Sequence, residues 1–171
     1  ELGGEWPRSM SAARLETLSE LALQIDPQDT DAAMKAARQA VAADPSRASA
    51  WALLAYLEFA KGGSVNGAAL DALTRSMDAC PLCSEDLVRW RFNFVLADWT
   101  SIPETLRRHA FEHADRLRWV RAKTEVLAEM KLKATLAGIA YDRYRSEVDT
   151  PVRSWGLAPR AVGVAPGGDG C

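Results

Sequence analysis

Apolar residues recur at intervals of three and four along most of this chain, and prolines or glycines interrupt the rhythm again and again. That period is one face of an α-helix, and no segment shows the strict alternation of a half-buried strand. The chain therefore reads as all-α, with helices of a few turns joined by tight connections. From Met10 to Gln24, Leu15, Leu18, Leu21, Ala22 and Ile25 mark a first helical face. The segment IDPQDTD then supplies a proline and capping side chains, after which Ala33, Ala36, Ala37, Ala40 and Val41 form a narrow small-residue stripe suited to close packing. Pro45 halts that helix, Ser46 is placed to cap a third, and the third runs to about Lys61.

Gly62, Gly63, Asn66 and Gly67 break the pattern, which Leu70, Leu73 and Met77 restore up to Cys80. Pro81 ends this fourth helix. Ser84, Glu85 and Asp86 open a fifth, with Leu87, Trp90, Phe94 and Val95 on its inner side and an end near Asp98. Ser101 and Glu104 have the spacing of a capping box around Pro103, which predicts a sixth helix with Leu106, Ala110, Ala114 and Leu117 facing inward. Trp119 to Tyr144 lacks proline and is rich in strong helix formers, so one long last helix is predicted, loosened at Gly138. Residues 1–9 read as an N-terminal extension, 10–149 as one helical domain, and 150–171, ending PRAVGVAPGGDGC, as a disordered tail.

Composition narrows the function classes. Lys and Arg number 21 against 23 Asp and Glu, a formal net charge of -2, which gives no general attraction to nucleic acid or anionic lipid. No apolar run approaches the roughly 18 residues of a membrane-spanning helix, so no membrane insertion by this chain is expected. The sequence begins at Glu1 without a Met, which suits a trimmed chain or a mature one that has lost a signal or anchor; a periplasmic, membrane-associated or cytoplasmic setting all stay open. Three cysteines are too few for a disulfide scaffold.

Trp51, Leu54 and Ala55 fit the first-helix pattern of a tetratricopeptide repeat, and Ala33, Ala40 and Pro45 fall where the second helix of the preceding repeat would place them. With two extra residues in the Gly-rich turn, Pro81, Leu87, Trp90 and Phe94 continue the pattern. Residues 12 to 100 thus resemble that family, with departures: Glu58 stands where a second large aromatic is usual, and Arg91 occupies a small-residue site. The resemblance implies a short solenoid of antiparallel helical hairpins followed by a long C-terminal helix, and a protein or peptide partner instead of catalysis. RWRFNFVLADWTSIPETLRR also resembles segments of repeat proteins that accompany bacterial envelope polysaccharide synthesis and export, implying a noncatalytic envelope accessory.

Three constellations could carry chemistry. HAFEH has the HxxEH form of inverted zinc peptidases, with His109 and His113 as ligands and Glu112 as base. The surrounding family context is missing, and two half-exposed histidines on a basic helix are the plainer reading. In CPLC, Cys80 closes a helix instead of opening one, so an activated thiolate is not expected, and the pair reads as free thiols or as a small turn-locking disulfide. Most aromatic residues must be core. In the repeat register, however, Tyr56, Phe59, Phe92 and Val95 line the concave face where partners dock, a face that the chain's own last helix could equally fill. Arg107, Arg108 and Arg116, in a basic stretch with Arg118, Arg121 and Lys123, make a second candidate surface. No catalytic residue, metal or cofactor is expected.

Overall fold

A computed structural model describes residues 10–25, 30–121, 124–142 and 144. The predicted extension at 1–9 and the tail at 150–171 lie outside the described residues. The chain is all-helical, and no strand occurs among the described residues. The helices are α1 (Ala12–Ile25), α2 (Thr30–Ala43), α3 (Ala48–Gly62), α4 (Gly67–Ala79), α5 (Glu85–Ala97), α6 (Glu104–Arg121) and α7 (Thr124–Leu136).

The most extensive packing is between sequence neighbours, α1 with α2 and α3 with α4, and α2 in turn packs on α3. The alanine stripe makes this possible: Ala33, Ala36, Ala37 and Ala40 on α2, and Ala50 and Ala55 on α3, are all buried. Buried hydroxyls tie the pairs together. Ser19 Oγ donates to the Ala33 carbonyl across α1 and α2 at 2.8 Å, and Ser76 Oγ donates to the Ala48 carbonyl across α4 and α3 at 2.7 Å. On the outside, Arg38 pairs with Glu58 and Lys61 with Asp31, each at 2.9 Å, bridging α2 and α3. Glu58 thus faces α2.

The second half is built differently. α5, α6 and α7 pack on one another, and α5 also meets α3, whereas α4 and α5 do not pair extensively. Arg91 links them. It is 1% exposed, and its guanidinium donates to Ser76 Oγ at 3.1 Å, to the Cys80 carbonyl at 3.0 Å, to the Pro81 carbonyl at 3.2 Å and to the Ser76 carbonyl. Arg91 of α5 therefore bridges to α4 and satisfies carbonyls at its C-terminal end, where a cation is favoured.

Helix ends correct several expectations. Ser84 does cap α5, accepting from the Leu87 N–H at 3.1 Å, and Asn66 caps α4 in the same way. Ser46 does not cap α3. Its hydroxyl goes to Asp44 Oδ1 at 2.6 Å, and Arg47 takes the cap position without a side-chain bond. The capping box before α6 does not form either: the helix opens only at Glu104, Ser101 stands in the preceding turn and donates to Asp98 Oδ1 at 2.8 Å, and Glu104 pairs with Arg107 and Arg108. The long helix predicted for Trp119 to Tyr144 is two helices and a reversal. α6 runs on to Arg121, α7 starts at Thr124, and Gly138 at φ 74° ends it. There the Gly138 N–H bonds to the Thr135 carbonyl at 3.0 Å and the Ile139 N–H to the Ala134 carbonyl at 2.9 Å, the paired bonds of a Schellman stop.

Candidate functional site

The seam between α3 and α5 brings together aromatic residues spaced one helical turn apart on each helix, Tyr56 with Phe59 and Trp90 with Phe94. Phe94 sits between two of them, edge-on to Phe59 at 5.7 Å and stacked on Trp90 at 5.0 Å between ring centroids. Phe94 is buried, whereas Tyr56 is 42% exposed. Where α1 joins this seam, a groove of about 290 Å³ is lined by Glu16 and Glu20 of α1, Leu53 and Tyr56 of α3, and Trp90 of α5, among others. Glu16 is buried and ion-paired with Arg47, which fixes α1 against the turn before α3.

Of the four residues expected to line a partner-binding face, Tyr56 and Phe59 lie at this seam and two do not. Phe92 and Val95 are both 0% exposed. The reason is the phase of α5: Val88, Arg91, Phe92 and Val95 share its inner face, and Phe92 packs on Phe111 at 4.8 Å and Tyr141 at 6.1 Å. Residues after α7 thus help to cover the face at Phe92, and the groove lies beside Trp90, which had been expected on the inner side of α5. Leu53 is three residues before Tyr56 and Trp90 four before Phe94, so the helical spacing held the signal. Glu20, on another helix, could not be read from spacing.

Among the described residues, the arginines of the basic stretch are each engaged by an acidic or aromatic neighbour. Arg107 stacks over Trp99 at 4.6 Å and lies 3.7 Å from Glu104, Arg108 pairs with Glu104 at 3.2 Å, and Arg116 pairs with Glu112. Each of these arginines has an acidic neighbour one turn earlier on its own helix. Lys123 and the side chains of Arg118 and Arg121 lie outside the described residues.

HAFEH is split by the helix it sits on. His109 is exposed and His113 is 8% exposed, with ring centroids 6.3 Å apart, and Glu112 is engaged by Arg116. Among the described residues, no group of three or more His, Cys, Asp or Glu side chains converges as metal ligands would. Burial, then the charges of Arg91, His109 and Arg116, push the His113 imidazole down to about 3, so it is held neutral. Its Nδ1 is buried without a hydrogen-bond partner among the described residues. Cys80 and Cys83 form a disulfide across the turn after α4, the second of the two readings of CPLC.

Asp98, the last residue of α5's cap, accepts from the Val65 N–H at 2.9 Å and from Ser101. Those bonds, Val65 first, hold its carboxyl below the usual range. It latches the α5 end to the turn before α4, one helical turn after Phe94. The chain matches no protein-family model, and no significant match joins it to a curated protein or to a solved structure.

Proposed function

We propose that this chain is a noncatalytic interaction scaffold, a tetratricopeptide-like stack of helical hairpins that receives a protein or peptide segment in the α1/α3/α5 groove. The observation that carries this reading is Tyr56: a large aromatic side chain, nearly half exposed, beside Trp90 and Leu53 in a groove formed by three helices. The tight pairing of α1 with α2 and of α3 with α4 supports stacked hairpins up to α4. Beyond that point α4 and α5 do not pair extensively. The likeness of Trp90 to Arg108 to polysaccharide-associated repeat proteins suggests an accessory role in the bacterial cell envelope, and a turn disulfide at Cys80–Cys83 suits an oxidising compartment.

Site-specific photocrosslinking in the producing cell tests the docking face. A photoreactive phenylalanine at position 56 should give a discrete adduct with one protein, and the same group at Arg108 should give none. An adduct from position 108 alone would move the interface to the α6 arginines, and no adduct from either would remove the scaffold reading.

A further inference from the structure

Building on that docking face, we infer that the groove selects a peptide segment bearing a basic side chain next to an aliphatic residue. Three observations converge. The side chains around the groove include two carboxylates, Glu16 and Glu20, and no Lys or Arg. Glu16 is already neutralised by Arg47, whereas Glu20 is exposed and has no ion-pair partner among the described residues. Tyr56 and Trp90 line the same groove, and their ring faces attract a cation while Leu53 and Leu23 offer apolar surface for its neighbour.

A lysine or arginine placed between Glu20 and the two rings gains a carboxylate and a π face together, and its aliphatic stem lies along the leucines. An acidic peptide would meet an uncompensated carboxylate, so the groove discriminates by repulsion as well as by attraction. The Glu16–Arg47 pair contributes position and no net charge, which leaves Glu20 as the residue that decides the sign.

The test is a titration of the full chain with a capped heptapeptide, Ala-Ala-Leu-Arg-Ala-Ala-Ala, and with versions carrying citrulline or Glu in place of its Arg, followed by amide and indole resonances. The Arg peptide should shift Tyr56 and Trp90 signals. Citrulline should bind about tenfold more weakly, and Glu20→Gln should shrink that difference to the part the rings supply and remove most of the salt dependence. Tyr56→Leu, which keeps the apolar area, should weaken the Arg peptide alone. Equal binding of the Arg and citrulline peptides would overturn the charge selection and leave a peptide groove standing. Shifts at Tyr56 and Trp90 with no peptide of any charge would remove the docking face itself. Contacts in the free chain between Trp90 and residues 145–171 would show the groove to be filled from within and would overturn the selection of an outside partner.

Discussion

Arg91 is a permanent charge buried without a carboxylate among its hydrogen-bond acceptors. Burial lowers its guanidinium to about 10, still far above neutrality, so the charge remains and the C-terminal carbonyls of α4 must hold it. Replacing it by Ala strips donors from the buried Ser76 carbonyl and the part-buried Cys80 and Pro81 carbonyls and opens a void, and should cost on the order of 3 kcal/mol in denaturant unfolding. Arg91→Lys should recover little, because an ammonium cannot reach Ser76, Cys80 and Pro81 at once. Full stability in the Lys variant would mean that the fork of hydrogen bonds is not what holds α4 to α5. His113 tests the same region by pH. Its native value of about 3 lies below the ordinary 6.5, so between those limits the unfolded chain carries a proton that the native chain lacks. Stability should be flat above pH 6.5 and fall by about 1.4 kcal/mol per unit as the pH drops below it. Carboxylates such as Asp98 add their own loss at lower pH, so the informative window is pH 6.5 to 5. There His113→Leu should flatten the slope of the urea midpoint, and an unchanged slope would assign it to other groups.

Helices follow from local spacing, and their existence was legible almost throughout: the apolar intervals marked each of α1 to α6. Their ends depend on which competing partner a side chain chooses. Ser84 finds only its own helix and caps it, while Ser46 and Ser101 each have a nearby Asp, in Asp44 and Asp98, that takes the hydroxyl instead. The phase of α5 was also hidden, since Phe92 and Phe94 are equally apolar and only the arrival of Phe111 and Tyr141 decides that Phe92 turns inward. The small-residue positions were the most legible part of the packing. Ala55 is fully buried on α3, which packs on α2, so Ala55→Leu should push the two helices apart at a cost of about 1 to 3 kcal/mol. A melting temperature equal to the parent's would show that the α2/α3 separation is not set there.

At the scale of the molecule, two groups of aromatic residues among the described ones have opposite roles. One lies between α5, α6 and the segment after Gly138: Phe111 meets Phe92 at 4.8 Å, Tyr141 at 5.0 Å and Tyr144 at 4.8 Å, and Tyr144 meets Trp99 at 5.3 Å. The Schellman stop at Gly138 turns the chain so that these tyrosines close over rings that α5 and α6 would otherwise leave bare. The other group is the seam at Tyr56 and Trp90, which the same chain leaves partly open. If the first is core and the second a docking face, truncations should separate them cleanly. Tyr141→Ala removes a ring that is 4% exposed and should cost about 3 kcal/mol in urea unfolding followed by circular dichroism. Tyr56→Ala removes a comparable ring from the groove and should change stability by no more than about 0.5 kcal/mol, because its face already meets water. A Tyr56→Ala loss as large as that of Tyr141→Ala would make the groove a working part of the core, and the α1/α3/α5 seam would then lose its claim to a partner.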